Sequence, residues 1–256
     1  MVIIGVIPAR LASTRFPNKP LAPILGMPMI RHVYLRSKMC SALQDVYVAT
    51  CDTAIADYVE SIGGKAIMTA GTHERASDRT AEALVKIEKE LGEKVDIVVM
   101  IQGDEPMVTP KMIDAAVSPI LADESIQVTN LMAPLRSREE HGDPNEIKVV
   151  VDLKGDALYF SREPIPSVRK GAGKVPMFKQ VCIIPFRRDF LLLFNGLAPS
   201  PLEKAESIDM NRVLEHGYKV RMVPISEATY SVDTKEDLAH VETLMANDLL
   251  LKEYAI

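Results

Sequence analysis

Val2-Ile-Ile-Gly-Val-Ile-Pro8 is a continuous apolar run near the start of the chain. A run of this kind, without polar alternation, is typical of a central parallel strand that is covered on both faces. Beyond it, further apolar runs alternate with segments of helical periodicity as far as about residue 123. Four such strand–helix repeats predict an α/β fold with a doubly wound, mostly parallel sheet of Rossmann-like type.

The loops that follow these strands carry most of the chemistry. In a parallel sheet the carboxyl ends of the strands share one edge, and ligands bind there. We expect three loops at this edge, 9–20, 69–79 and 102–106, which are rich in Arg, Asp and Gly. The sequence therefore predicts a ligand site at the carboxyl edge of the sheet.

The second half of the chain is less regular. Short apolar runs at 128–133, 148–151, 181–186 and 219–223 predict strands with antiparallel pairing. Segments 203–216 and 234–250 predict helices, and the Lys/Gly/Pro-rich stretch 167–177 predicts a mobile loop. We expect a single domain over 1–256 with a smaller mixed lobe at about 130–220.

Composition excludes several classes of function. The 256 residues carry a formal net charge of −5, which offers no broad basic surface for nucleic acid. No apolar run reaches about 18 residues, so no membrane span is predicted. Three scattered cysteines without a CxxC pair predict reduced thiols in a cytoplasmic protein and no zinc site.

The loop after the first strand has the composition of a phosphate cradle. Arg10, Arg15 and Lys19 bring three cations within ten residues, and small residues between them allow backbone amides to approach a ligand. A solvated basic loop is the alternative, and spacing alone does not choose between the two. Neither GxxxxGK[ST] nor GxGxxG follows the strand, which argues against kinase and dehydrogenase classes.

Two aspartates follow apolar segments further along. Asp104 belongs to Gln-Gly-Asp-Glu-Pro at 102–106, which directly follows the apolar run 97–101. Asp233 follows Tyr-Ser-Val at 230–232. Two carboxylates at strand ends suit Mg²⁺, a hard cation that prefers oxygen ligands. Asp233 also fits the N-cap of the next helix, and the residues alone favour this cap over a metal ligand. For Asp104 the alternative is a residue of a turn.

Several blocks of the sequence together resemble one family. They are Ile-Pro-Ala-Arg-Leu-Ala-Ser-Thr-Arg-Phe-Pro-Asn-Lys-Pro-Leu at 7–21, Gln-Gly-Asp-Glu-Pro at 102–106, Ala-Leu-Tyr-Phe-Ser-Arg at 157–162, Pro-Ser-Pro-Leu-Glu at 199–203 and Val-Asp-Thr-Lys-Glu-Asp-Leu at 232–238. This series resembles the 3-deoxy-manno-octulosonate (Kdo) cytidylyltransferases, a family of sugar nucleotidyltransferases. The resemblance implies transfer of a cytidylyl group from CTP to Kdo or a closely related 3-deoxy-2-ulosonic acid, with release of pyrophosphate, for lipopolysaccharide or another surface glycan.

The same resemblance assigns expected roles to residues of the first half. It implies Mg²⁺ on Asp104 and Asp233, and catalytic roles for Arg15, Lys19 and Asp104. The nucleotide is expected to contact Pro8, Ala9, Arg10, Ser13, Arg15, Lys19, Ser77, Arg79 and Gln102.

Arg79 is the expected reader of the base. It can donate to the O2 or N3 acceptors of cytosine, whereas the N3–H of uracil would oppose it. In the alternative, Ser77 caps the following helix and Arg79 lies exposed in its first turn.

The acceptor sugar is expected to contact Gln102, Arg162, Gln180 and Asn211. The guanidinium fork of Arg162 fits a carboxylate, and a surface ion pair with Glu163 is the alternative. Around these positions the chain departs from the family, which has His, Gly, Tyr and Gln where this sequence has Gln180, Cys182, Ile184 and Met210, with Asn211 next in the chain. The acceptor is therefore Kdo or another small acid, such as 8-amino-Kdo, a sialic-type acid or a phosphonate.

Assembly and other functions are left open at this point. The resemblance implies a homodimer joined through the smaller lobe. A non-catalytic nucleotide-binding protein is an alternative, but the presence of Lys19, Asp104 and Asp233 together argues against it. A protein–protein scaffold is a third alternative, but this function would not explain why three charged loops are expected at one edge of the sheet.

Overall fold

A computed structural model of the chain describes residues 1–12, 15–168 and 176–254. Its internal contacts divide the chain into two compact units. Unit 1 comprises Met1–Asp114 and Thr229–Ile256, and unit 2 comprises Ala115–Ala228. Unit 1 is thus built from two separate stretches of sequence. Most of the loop predicted to be mobile, 169–175, lies outside the described residues.

Unit 1 contains a parallel sheet with its helices. Its strands are β1 (Ile3–Ala9), β2 (Pro23–Ile24), β3 (Met27–Pro28), β4 (Asp45–Thr50), β5 (Lys65–Met68) and β6 (Ile97–Ile101). Its helices are α1 (Met29–Lys38), α2 (Thr53–Ser61), α3 (Ala76–Leu91), α9 (Lys235–Met245) and α10 (Leu251–Tyr254), and α4 (Pro110–Ala122) crosses the boundary between the units.

The order of the strands creates the ligand edge. β1 pairs in parallel with both β4 and β6, and β4 pairs in parallel with β5. The chain thus runs outward from β1 through β4 to β5 and then returns to the other side of β1 as β6. A ligand crevice is expected where the order reverses, beyond the carboxyl ends of β1 and β6.

The apolar run that opens the chain is the core of this sheet. Ile4, Val6 and Ile7 are completely buried, as are the residues of β6 opposite them. Burial on both faces explains why the run does not alternate with polar residues. The α/β class with a parallel sheet is therefore confirmed.

Unit 2 is a mixed lobe. Its strands are β7 (Thr129–Pro134), β8 (Lys148–Val151), β9 (Ala157–Ser161), β10 (Phe178–Val181), β11 (Ile183–Arg187) and β12 (Arg221–Pro224), and its helices are α5 (Arg138–Gly142), α6 (Arg188–Gly196), α7 (Pro201–Glu206) and α8 (Met210–Glu215). Five strands form a sheet in the order β12-β7-β10-β8-β9, in which only the β12–β7 pair is parallel.

Three predicted elements are interrupted. The predicted helix 203–216 is two helices, because Ser207 adopts a left-handed backbone with φ of 55° and ends α7. The predicted strand 181–186 is divided at Cys182 between β10 and β11, and the predicted helix 234–250 ends at Met245. Pro28 precedes α1 as its N-cap.

The C-terminal part of unit 1 supports the loop after β1. Phe16, Ile24 and Met29 form one buried cluster with Val232 and with two residues of α9, Val241 and Met245. This packing fixes the loop and the segment before α9 to the same core. No helix within the described ranges is both long and apolar enough to cross a membrane.

Candidate active site

The carboxyl edge of the sheet in unit 1 contains a cavity of about 380 Å³. Its lining comes from the loop after β1, the loop before α3, the loop after β6 and the segment before α9. The lining residues are Pro8, Ala9, Arg10, Ala12, Arg15, Lys19, Pro20, His73, Glu74, Arg75, Ala76, Arg79, Gln102, Gly103, Asp104 and Asp233.

The loop after β1 is held by bonds to neighbouring segments. The backbone N–H of Leu11 donates to the Asp52 carboxylate at 2.8 Å, and Arg10 donates to the His73 carbonyl at 3.4 Å. Asn18 adopts a left-handed conformation with φ of 59°, and the chain then turns at once into a 3-10 turn at Lys19–Leu21. This turn points Lys19 back into the cavity.

Lys19 joins the two aspartates that the sequence singles out. Its Nζ lies 2.8 Å from Asp104 Oδ2 and 3.3 Å from Asp233 Oδ1, and it donates to the Val232 carbonyl at 2.7 Å. Two carboxylates separated by 129 positions in the sequence thus share one ammonium partner. The expectation that they lie together is met by this geometry.

Local structure fixes each carboxylate. Asp104 follows Gly103, where a Cβ would come within 3.2 Å of the Pro8 carbonyl, so glycine allows the loop after β6 to lie beside β1. The Asp104 carbonyl accepts from the Val232 N–H at 2.9 Å, which ties the segment before α9 to the end of β6.

Asp233 is not the helix cap that was considered as its alternative. The N-cap of α9 is Thr234, which forms a capping box with Asp237, and the Asp237 carboxylate also accepts from the Asp233 N–H at 3.0 Å. The Asp233 side chain instead accepts from Arg15 at 3.0 Å as well as from Lys19. The capping box therefore aims Asp233 at the cavity.

The charge state of Lys19 follows from these contacts. Burial would lower the pKa of Lys19, but Asp104 and Asp233 outweigh it, through charge and hydrogen bonding, and raise the pKa above its ordinary value. Lys19 is therefore a permanent cation at neutral pH, with the side chain largely buried.

Arg79 is buried in the first turn of α3, so the alternative of an exposed side chain is wrong. Its Nη1 donates to the Thr69 hydroxyl and, at 3.3 Å, to the Ala70 carbonyl. Its Nη2 is buried and has no partner among the described residues, which is costly for a charged group. An orphaned donor on a residue that lines the cavity is suited to a polar ligand atom.

Ser77 does not cap this helix either. The N-cap of α3 is Arg75, without a side-chain cap bond, and Ser77 is completely buried one residue inside the helix. Its predicted contact with the nucleotide stays a prediction. Ser13, predicted in the phosphate cradle, lies outside the described residues.

His73 and Asp52 help to hold the loops that line the cavity, a role that the sequence did not predict for either residue. The His73 ring pairs with the Glu82 carboxylate of α3, which also accepts from the Ala70 N–H at 2.9 Å. Asp52 occupies the N-cap position of α2, yet it makes no side-chain cap bond and binds the loop after β1 instead. For Asp52 the available signal was a polar residue two positions after the end of a strand, β4.

The residues predicted to bind the acceptor are divided between the units. Gln102 lines the cavity in unit 1, whereas Arg162, Gln180 and Asn211 belong to unit 2. Arg162 donates to the carbonyls of Glu206 and Pro144, both at 2.8 Å. The alternative, an ion pair with Glu163 or another acid, is not what holds the guanidinium of Arg162.

Asn211 has a different environment from the one predicted. It is 1% exposed, and its amide pairs on both sides with Phe160, accepting from the N–H at 3.2 Å and donating to the carbonyl at 3.0 Å. These bonds use the amide to join α8 to β9, which gives the residue a structural role. Contact of Asn211 with a sugar stays a prediction that this burial does not support.

Comparison with known proteins agrees with the resemblance. Residues 4–222 match the family model described as Cytidylyltransferase. A 3-deoxy-manno-octulosonate cytidylyltransferase of Geobacter metallireducens is 44% identical over 251 residues, covering 94% of this chain and 96% of the relative. One of Syntrophobacter fumaroxidans is 45% identical, covering 97% and 98%.

A solved structure extends this agreement to three dimensions. It is described as CMP:2-keto-3-deoxy-manno-octonic acid synthetase complexed with CTP, and it matches with a TM-score of 0.89 at 40% identity, covering 97% of this chain and all of the other. Identity at this level over nearly the whole length shows that the chain belongs to the cytidylyltransferase family and, within it, to the 3-deoxy-manno-octulosonate cytidylyltransferases.

Proposed function

We propose that this protein transfers a cytidylyl group from CTP to Kdo or a closely related 3-deoxy-2-ulosonic acid, releasing pyrophosphate. Relatives named for this activity and a CTP-bound structural neighbour support the proposal. The observation that carries it is the cluster at the cavity, where Lys19 joins Asp104 and Asp233 beside Arg15. In this cluster, cations suited to phosphates lie next to carboxylates suited to a metal ion.

Arg15 and Lys19 are proposed to hold the triphosphate. Transfer of a nucleotidyl group depends on positioning and on charge stabilisation more than on covalent participation by the protein. A guanidinium and an ammonium on one cavity wall stabilise charge that develops on the phosphate oxygens as pyrophosphate leaves. Lys19 is a cation in this arrangement, because Asp104 and Asp233 raise its pKa above the ordinary value.

Membership of a nucleotidyltransferase family suggests a divalent metal ion, and we propose Mg²⁺. Asp104 and Asp233 would hold it, since Mg²⁺ is usually bound by one or two carboxylates together with substrate phosphates. When bound, the ion would neutralise phosphate charge and lower the pKa of the attacking hydroxyl.

Arg79 is proposed to select cytosine. Its guanidinium is held on one side by Thr69 and Ala70, so the orphaned Nη2 has a fixed direction. A donor in a fixed position favours the O2 and N3 acceptors of cytosine over uracil, which presents N3–H. Pro8, Ala9, Arg10 and Gln102 line the same cavity and are proposed nucleotide contacts.

Replacing Asp104 tests this scheme. We expect Asp104→Asn to lower kcat for pyrophosphate release about 100-fold or more, in the range of lost charge-stabilising groups, while the circular dichroism spectrum is unchanged. Asp57→Asn, which removes an exposed carboxylate from α2, is the matched control and should retain full activity. A near-normal rate for Asp104→Asn would remove this carboxylate from the mechanism.

The same pyrophosphate-release assay, run with Kdo, 8-amino-Kdo, sialic-type acids and phosphonates, would identify the acceptor. Turnover with 8-amino-Kdo, a sialic-type acid or a phosphonate, and not with Kdo, would favour another acidic acceptor. Binding of CTP without pyrophosphate release for any acceptor would support a non-catalytic nucleotide-binding protein instead. Cys40, Cys51 and Cys182 form no disulfide within the described residues, which fits the proposed cytoplasmic location. The homodimer implied by the resemblance stays a prediction.

A further inference from the structure

Asn130 of unit 2 has a fully buried side-chain amide that lies outside the cavity of the candidate active site. It is 0% exposed and belongs to β7, which lies antiparallel to β10, with Leu131 opposite Val181 and Met132 opposite Gln180. A fully buried amide must find partners for its donors and its acceptor, because unpaired groups are costly. The partners of Asn130 are therefore informative.

Two backbone carbonyls fix the orientation of this amide. Nδ2 of Asn130 donates to the Val181 carbonyl at 2.6 Å and to the Leu131 carbonyl at 3.1 Å. A carbonyl oxygen can only accept, so the nitrogen of the amide must face both of them. Oδ1 of Asn130 consequently faces the other way.

The orientation is passed on to Gln180. Oδ1 of Asn130 accepts from Nε2 of Gln180 at 2.6 Å. Because Oδ1 can only accept, Gln180 must present its nitrogen to it, and a rotated amide would bring two oxygens together. The half-buried Gln180 therefore has its own oxygen, Oε1, on the opposite side, where it has no hydrogen-bond partner in the described ranges.

We propose that Asn130 is a positioning residue that locks Gln180 as a hydrogen-bond acceptor for the sugar. The inference rests on the proposed function and on the contact between Gln180 and the acceptor that the family resemblance implies. It narrows the substrate class to sugar acids that present a hydroxyl or an ammonium group to Oε1. A histidine could donate or accept according to its tautomer, whereas this locked amide can only accept.

A double-mutant cycle tests whether Asn130 acts through Gln180. The variants are Asn130→Leu, Gln180→Leu and the double variant, assayed by pyrophosphate release with Kdo and with 8-amino-Kdo. We expect Asn130→Leu to raise KM for the acceptor about tenfold, the order of one lost polar contact, with KM for CTP unchanged. In the Gln180→Leu background, Asn130→Leu should have no further effect on KM for the acceptor.

Thr129→Val is the matched control. Thr129 is the preceding residue of β7, is equally buried, and donates to the Ala116 carbonyl at 2.6 Å without contacting Gln180. It should leave both KM values unchanged. Additive effects of the two leucine substitutions, or equal effects of Asn130→Leu and Thr129→Val, would overturn the inference.

A second variant covers the case in which Asn130→Leu fails to fold. Gln180→Glu leaves Asn130 intact but replaces the donating nitrogen by an oxygen, and the same rise in KM for the acceptor is expected. Wild-type KM in this variant would also overturn the inference. A wild-type enzyme without turnover on any acceptor contradicts the proposed function itself, whereas an active wild type with additive variants contradicts only the role of Asn130.

Discussion

At the scale of single residues, Arg79 shows how burial defines a role. Its guanidinium is held by Thr69 and Ala70 while Nη2 is left buried and unpaired among the described residues. An unsatisfied buried donor costs on the order of 1–3 kcal/mol, and more when it is charged. A ligand atom that accepts from Nη2 would offset this cost, which makes the residue a candidate for base selection.

We expect Arg79→Lys to lower kcat/KM for CTP about tenfold or more and to narrow the preference for CTP over UTP. Lysine lacks the planar fork, so it cannot bind Thr69 and direct a second donor at the base at the same time. The check is kcat/KM for both nucleotides. Thr80→Val, which removes a buried hydroxyl bonded within the same helix to the Ala76 carbonyl, is the control and should keep the preference. An unchanged ratio in Arg79→Lys would assign the selection elsewhere.

Residues of this kind differ in how far the sequence predicts them. Arg15 and Lys19 were predictable because they follow a recognisable buried strand, and strand ends in a parallel sheet define the ligand edge. The bond from Leu11 to Asp52 was not, since nothing in the local pattern indicates which loop a carboxylate contacts. Asn130 was also missed, because its role depends on the register of β7 against β10.

At the scale of elements, α3 is attached to the loop before it by a carboxylate. Glu82 accepts from Lys86 at 2.7 Å, from the Ala70 N–H at 2.9 Å and from His73. Burial would raise the pKa of Glu82, but these hydrogen bonds outweigh it and lower the pKa to about 2. The ionised carboxylate thus joins the helix to a loop that lines the cavity.

This shift predicts a specific dependence of stability on pH. The ordinary pKa of the group is 4.5, so its contribution is complete above that pH and is lost as the pH falls towards about 2. We expect Glu82→Gln to be less stable at neutral pH and to lose less stability between pH 4.5 and pH 2. Thermal midpoints measured across this range provide the check. Glu90→Gln, an exposed position of the same helix, should follow the wild type, and parallel curves for Glu82→Gln and the wild type would refute the attachment.

Interruptions of elements were the least predictable feature. Apolar periodicity continues across Ser207, so the sequence favours one helix, but the residue takes a left-handed conformation that ends α7. Helix α3, in contrast, ends before Gly92, and a glycine with a left-handed backbone, here with φ of 73°, is a common end of a helix. A pattern therefore predicts an element well where a residue with a strong backbone preference marks its end.

At the scale of the whole molecule, charge is distributed unevenly. The chain carries a formal net charge of −5, yet Arg10, Arg15, Lys19, Arg75 and Arg79 all line one cavity. A local cluster of cations attracts an anion even in an acidic protein, and the attraction weakens as salt screens it over a Debye length of roughly 8 Å at physiological ionic strength. The nucleotide is the anion expected here.

We expect kcat/KM for CTP to fall as ionic strength rises from 0.05 M to 0.5 M, at constant Mg²⁺, with kcat changed much less. Screening acts on encounter with the charged nucleotide rather than on groups already in contact. Stopped-flow or initial-rate measurements in sodium chloride provide the check, and sucrose at matched viscosity is the control. A kcat/KM that is independent of salt would contradict attraction by the cation cluster.

The class of fold was predictable because strand and helix patterns alternate four times, but the composition of unit 1 was not. Nothing in the sequence pattern alone indicates that 229–256 joins the first 114 residues in one unit. The residues alone favoured a helix cap for Asp233, and only the family resemblance, through a motif far along the chain, favoured a metal ligand. Long-range association of this kind depends on packing, such as that of Val232 and Val241 against Phe16.

The discontinuity of unit 1 has a consequence during synthesis on the ribosome. The parallel strands and both Lys19 and Asp104 emerge early, but the partner carboxylate is 129 codons behind Asp104. A nascent chain stalled anywhere before that codon carries the early half of the centre without its second aspartate. The cluster of Lys19, Asp104 and Asp233 can therefore form only after translation has passed through all of unit 2.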